Sequence, residues 1–154
     1  MSRALTDADL RIVAVLQDEG RLTNVELAER VGMSPSPCLR RLRQLETEGV
    51  IGGYRAQVSK EALGYQVEAL VMVTLDQQAS KGVEALKRRI RALDQVVTCH
   101  AVTGEFDLVL RVVAANLESY GDFTMNHLLT LPGVKDVRSS FIIGTVKDGA
   151  MVPA

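Results

Sequence analysis

The chain has little with which to do covalent chemistry. Its 154 residues hold two histidines and two cysteines. His100 and His127 stand apart from each other and from any serine–carboxylate spacing, and each reads as a structural residue. The sequence contains no Ser-His-Asp spacing, no phosphate loop and no metal-ligand cluster. An enzyme is therefore not expected, and neither a metal nor a cofactor. Cys38 and Cys99 fall in an apolar helix face and an apolar strand pattern. Buried free thiols in a reducing compartment are the expectation. No apolar run approaches the ~18–20 residues of a membrane span. The opening Met1–Asp7 lacks the apolar centre of a signal peptide. The expected location is the cytoplasm, with no membrane partner. Excess charge is lacking too: the formal net charge is −1, so the molecule is not a polycation. Residues 1–60 carry nine Lys/Arg against eight Asp/Glu, and residues 61–154 nine against eleven. The sign of that asymmetry puts any anion-binding surface in the first part.

What is present is an arginine-faced helix, Ser34-Pro35-Ser36-Pro37-Cys38-Leu39-Arg40-Arg41-Leu42-Arg43-Gln44-Leu45. Ser34 is a good N-cap, with a hydroxyl able to accept a first-turn N–H. Pro35 suits the first helical position, and Pro37 still lies in the turn whose N–H groups lack helical partners. At about 100° per residue, Cys38, Leu39, Leu42 and Leu45 share one face. Ser36, Pro37, Arg40, Arg41, Arg43, Gln44 and Thr47 cover the other. Three arginines and no acid suit a DNA major groove, where arginine forks onto guanine or phosphate. The helix N-terminus can also meet a phosphate. A solvated arginine face is the alternative for this helix taken alone.

Its neighbours favour the groove. Thr6 caps a first helix, with Asp7 and Asp9 in the first turn facing the positive dipole end. Leu10, Val13, Ala14 and Leu16 carry its apolar pattern to Gly20. Asn24, or Thr23 before it, caps a short helix over 25–31, and Gly32-Met33 makes a tight turn. Helix, short helix, glycine turn, arginine-faced helix is the helix-turn-helix order. Val50–Val58 then predicts two short strands about Gly52-Gly53, a wing that brings Arg55 near phosphate. An exposed turn residue is the equal alternative for Arg55.

After a connector at Ser59–Gly64 the period changes. Val67–Leu75 reads as a strand. Ser80 caps a helix running to Leu93, with Val83, Leu86 and Ile90 as its stripe. Lys87, Arg88, Arg89 and Arg91 on that helix read as a solvated basic face. Val96–Thr103 and Asp107–Ala114 are strands joined by Gly104-Glu105-Phe106. A helix over Leu117–Leu131 ends at Pro132-Gly133, and Val134–Val146 is a fourth strand. The order β-α-β-β-α-β is ferredoxin-like. The fold class is thus α+β: a winged helix-turn-helix domain with linker over 1–60, and a ferredoxin-like βαββαβ domain over 61–154. Such a sheet leaves one face open. Val97, Cys99 and Ala101 on the second strand, and Phe141, Ile143 or Ser140, Ile142 on the fourth, make it apolar, so a homodimer packed sheet against sheet is expected.

Two stretches together resemble a known family. One runs from Asp9 through Gly20–Leu42 to Leu45–Tyr54. The other is Cys99-His100-Ala101-Val102-Thr103-Gly104-Glu105-Phe106-Asp107 followed by Leu129-Thr130-Leu131-Pro132-Gly133-Val134. In this order and spacing they resemble the Lrp/AsnC "feast/famine" transcription regulators, from about Leu5 to Lys147. Ser34-Pro35-x-Pro37-Cys38-Leu39 and Cys99-His100 are similar to the leucine-responsive branch. The resemblance implies a DNA-binding domain followed by a RAM-type ligand-sensing and oligomerisation domain. It implies double-stranded DNA as partner, a homodimer that builds higher oligomers such as an octamer, nucleoid association, and a small effector, commonly an amino acid. Positions implied in DNA contact are Asn24, Ser34, Ser36, Pro37, Arg40, Arg41, Arg43 and Arg55. Those implied in effector binding are Gly104, Glu105, Phe106 and Asp107 of the loop, with Leu129, Ser139, Ser140 and Ile142. Backbone N–H groups around Gly104 suit an α-carboxylate, and Asp107 suits an α-ammonium. Leu108 and Ser140 depart from the leucine-responsive pattern and reshape the pocket. The competing expectation is an architectural DNA-binding protein that responds to no ligand.

Overall fold

The computed structural model describes residues 4–76, 82–147 and 152–153. The chain forms two units, one of residues up to Gln57 and one of Val58–Val146. Lys147 and the described residues after it join the first unit rather than the second. Gln17 supplies a tie: its Nε2 donates to the Val152 carbonyl at 2.9 Å, and its Oε1 accepts from the Val152 N–H at 2.7 Å.

In the first unit, α1 (Asp7–Asp18) and α2 (Asn24–Arg30) begin in the same way. Thr6 and Asp9 form a capping box, and Thr23 and Glu26 form another. Each threonine hydroxyl accepts the N3 N–H while the N3 carboxylate takes the threonine's own N–H, so two orphan donors are satisfied reciprocally. Thr23, not Asn24, is therefore the cap of α2. Gly32 sits at φ +68°, a left-handed conformation that favours glycine, and turns the chain into α3 (Pro35–Thr47). Ile12, Leu27, Ala28, Val31, Cys38 and Leu45 form the core. On α1 the buried stripe is Asp9 and Ile12, whereas the expected Ala14 is exposed.

The expected wing hairpin is not formed. Among the described residues of 50–58, none pairs as a strand. Val50 and Ile51 both pack on the helical core, so adjacent residues point the same way and the alternation a strand requires is lost. Tyr54 folds back, and its hydroxyl donates to Glu46 Oε1 at 3.0 Å.

The second unit is a four-stranded antiparallel sheet in the order β2-β3-β1-β4, from β1 (Val67–Leu75), β2 (Val96–Ala101), β3 (Leu108–Ala114) and β4 (Val134–Phe141). The chain order with α4 (Val83–Arg91) and α5 (Leu117–Phe123) is βαββαβ. Alternation on β1 sends Ala69, Val71 and Val73 into a core with Leu110, Val112, Leu86, Ile90, Tyr120, Phe123 and Leu128. The expected cap Ser80 lies outside the described residues. The expected helix over 117–131 is α-helical only to Phe123, and Thr124–Leu128 continues as a π turn. β4 stops at Phe141 rather than Val146.

The open face differs from expectation. Cys99 and Ala101 stand opposite Leu110 and Leu108, on the side of the helix layer, and Phe141 packs edge-on against Tyr120 at 5.0 Å. The open face instead mixes Leu70, Met72, Val109 and Val113 with Arg111, Arg138 and Ser140. Glu68 is buried there between Lys60 and Arg111. Cys38 is a buried free thiol as expected, but Cys99 is exposed, because β2 is an edge strand.

Candidate functional site

The α3 helix presents Ser36, Arg40, Arg43 and Thr47 at i, i+4, i+7 and i+11, one line on its surface. All four are exposed. Ser34 has the extended backbone of an N-cap but makes no side-chain capping bond. Pro35 and Pro37 carry no N–H, and the Cys38 N–H bonds the Ser34 carbonyl at 3.1 Å. Ser36 is thus the single backbone donor left in the first three positions, a thinner anion cradle than an ordinary helix N-terminus offers.

Two residues expected at DNA have structural partners instead. Arg41 Nη1 lies 3.0 Å from Asp9 Oδ1 and 3.0 Å from Thr6 Oγ1. It is turned toward the α1 cap, a quarter-turn from the line of Arg40 and Arg43. Asn24 Nδ2 donates to the Pro35 carbonyl at 2.8 Å and locks the start of α2 to the start of α3. Its Oδ1 is buried without a partner among the described residues. Arg55 is exposed on a segment that forms no strand.

The loop between β2 and β3 turns at Gly104, whose φ of +120° excludes most side chains. Asp107 then anchors the loop to the end of β1. Its N–H donates to Val73 O at 3.0 Å, and its Oδ2 accepts the Leu75 N–H at 2.7 Å. Leu75 needs that acceptor because the β1–β4 register shifts between Thr74 and Leu75. Glu105 Oε1 accepts from Arg138 Nη1 at 2.9 Å, and the Arg138 guanidinium carbon lies 5.5 Å from the centre of the Phe106 ring. Arg138 Nε also donates to Asp136 at 3.2 Å.

The structure divides the expected effector residues. Glu105, Phe106 and Asp107 gather around one end of the sheet, and Ser140 shares the open face with Arg138. Ser139 faces the other way and accepts a 2.5 Å hydrogen bond from the buried Tyr120 hydroxyl. Leu129 follows the π turn in the helix layer, and Ile142 donates its N–H to Glu68 O beyond β4. Arg138 itself was not singled out by the sequence. Its signal was strand alternation, which places it on the face of Ser140.

The chain matches two family models in sequence order: a winged helix-turn-helix DNA-binding model over residues 5–51 and the Lrp/AsnC ligand binding domain over 68–152. The chain belongs to the Lrp/AsnC family. It is a DNA-binding transcription regulator, not an enzyme. The helix-turn-helix match stops before the stretch that fails to form a wing. Among curated Lrp/AsnC relatives, the leucine-responsive regulatory protein of Rhizobium meliloti is 46% identical over 94% of this chain and 92% of its own. That of Escherichia coli K12 is 37% identical over 90% and 85%. Among solved structures, a transcriptional regulator of Neisseria meningitidis, in complex with L-Met, superposes with TM-score 0.93 at 39% identity over 97% of both chains. A feast or famine regulatory protein of Mycobacterium tuberculosis, complexed with L-methionine, gives 0.88 at 32% over 98% and 100%. No helix among the described residues is long and apolar enough to cross a membrane.

Proposed function

We propose that this Lrp/AsnC protein is a sequence-specific regulator whose DNA binding or oligomer state responds to an amino acid. Ser36, Pro37, Arg40 and Arg43 of α3 read the major groove, with Ser34 and Arg55 beside them. Arg41 and Asn24 act behind that surface by holding α3 in place. The effector occupies the end of the sheet marked by Gly104, Glu105, Phe106 and Asp107, with Ser140 beside it. The observation that carries this reading is the exposed Ser36–Arg40–Arg43 line, followed in the same chain by a ligand-binding domain whose neighbours hold L-methionine. A single arginine line on a protein of net charge −1 binds DNA weakly, so affinity requires paired copies. A homodimer, assembling further to an octamer, supplies that pairing, and the cytoplasmic nucleoid is its place of work. The test is a thermal shift of the full chain against each proteinogenic amino acid, together with gel shifts on genomic fragments. Stabilisation by at least one amino acid is expected. Stabilisation by none leaves a ligand-blind architectural protein and removes the sensor reading.

A further inference from the structure

We propose that the Arg138 guanidinium is the receptor for the effector's α-carboxylate, and that Glu105 occupies it in the ligand-free protein. The inference rests on the effector reading above and assigns its chemistry. Arg138 is held in a way that suits a planar guest. Phe106 lies under its guanidinium at 5.5 Å, which fixes the plane. Asp136 takes Nε at 3.2 Å, and Glu105 takes Nη1 at 2.9 Å. Glu105 thus presents to the fork a carboxylate from this chain's own loop, the same group that an amino acid would bring. The Arg138 and Glu105 side chains are 59% and 68% exposed. Ion pairs so exposed to water are weak, and a side chain leaving one recovers its hydration and rotamer freedom. A bidentate carboxylate guest displaces it without leaving a buried charge behind.

The surroundings define the rest of the guest. Arg138 stands opposite Met72, and Met72 opposite Val109, all on the open face of the sheet. Met72 and Val109 are half-buried, as is Phe106. They form an apolar strip beside the guanidinium. Asp107, fixed by its bond to the Leu75 N–H, keeps a negative charge at the same end of β1. Cation, apolar strip and anion in that order match an α-amino acid with an aliphatic or thioether side chain. A carboxylate without an ammonium would face Asp107 and Asp136 uncompensated, so 2-oxo acids are excluded. Displacement frees Glu105, and with it the loop from Val102 to Asp107, which is the route from occupancy to a changed surface.

The test uses the full chain and calorimetric titration with L-methionine, L-methioninamide and the 2-oxo acid of methionine; should the thermal screen select another amino acid, its own amide and oxo acid are used. The parent is expected to bind the amino acid and neither analogue. Arg138→Gln should weaken binding about tenfold or more, roughly the loss of one charge-assisted fork. Arg138→Lys should fall between them. Glu105→Gln should tighten binding severalfold, because the placeholder has lost its charge. Both residues are exposed, so thermal melting without ligand should match the parent. Unchanged affinity in Arg138→Gln, or weaker binding in Glu105→Gln, overturns the proposal while leaving the sensor reading intact. Failure of every amino acid to bind the parent overturns both.

Discussion

Arg41 reaches from α3 to a carboxylate that has no exposure at all: its Nη1 lies 3.0 Å from Asp9 Oδ1. Asp9 also accepts from the Thr6 N–H at 2.9 Å and the Thr6 hydroxyl at 2.7 Å. Removing one partner of a buried pair leaves the other charge uncompensated and costs about 3–5 kcal/mol. Arg41→Ala should cost somewhat less, about 2–3 kcal/mol, because Thr6 still serves Asp9. Urea unfolding of the full chain should show the midpoint of the first unit falling. Any loss of DNA binding in Arg41→Ala should track that loss of fold.

Arg40 and Arg43 should behave in the opposite way. Alanine at either position should leave thermal melting within about 1 °C of the parent, as expected for exposed sites. Each should weaken operator binding by about 1–3 kcal/mol if it reads a base. A residue that meets only phosphate will instead lower the slope of log affinity against log salt by about 0.9. Gel shifts at two salt concentrations separate the two roles.

Asp107→Asn keeps an oxygen for the Leu75 N–H and loses only the charge. The variant should melt like the parent without ligand. Its stabilisation by amino acid should disappear, read by thermal shift at saturating concentration. An undiminished shift would exclude Asp107 as the ammonium partner.

Burial pushes the Glu68 carboxyl up, but the hydrogen bonds and charges of Lys60 and Arg111 outweigh it, so its pKa lies below the ordinary 4.5. A group with a depressed folded pKa contributes stability that is present above its unfolded value and lost as pH falls through the folded one. The second unit should therefore hold this contribution above about pH 4.5 and lose it in more acid solution. Glu68→Gln should flatten that acid limb in denaturation curves taken from pH 7 to pH 3.

Ser139→Ala should leave the buried Tyr120 hydroxyl without its acceptor. The expected cost is about 1–3 kcal/mol, and adding Tyr120→Phe should recover part of it. Amino-acid affinity should stay the same, because Ser139 faces the helix layer. A change in affinity alone would return Ser139 to the effector site.

The strands with apolar runs were legible from the sequence: β1 occupies Val67–Leu75 as its β-branched pattern predicts. The capping threonines and the glycine turns were legible for the same reason, since their cause is local. What escaped depended on tertiary partners. Asp9 occupies a core position of α1, and a carboxylate there hides the phase of the stripe, so Ile12 was passed over. Arg41 looks like Arg40 in one dimension and is separated from it only by the position of Asp9. At the effector site the loop was legible from its glycine and acids. Arg138, 33 residues beyond Glu105, was not, because only the β1–β4 register brings it there.

The Gln17–Val152 tie has a consequence for synthesis. The first unit is discontinuous: the whole sensing unit, Val58–Val146, is made between its two parts. On the ribosome the helix-turn-helix can collapse early, but Gln17 waits for residues made about 135 positions later. A fragment cut at Gln57 would contain every DNA-reading residue and still lack this clasp on α1. Isolated copies of that fragment are then a different molecule from the same residues in the full chain, and their melting point should be lower.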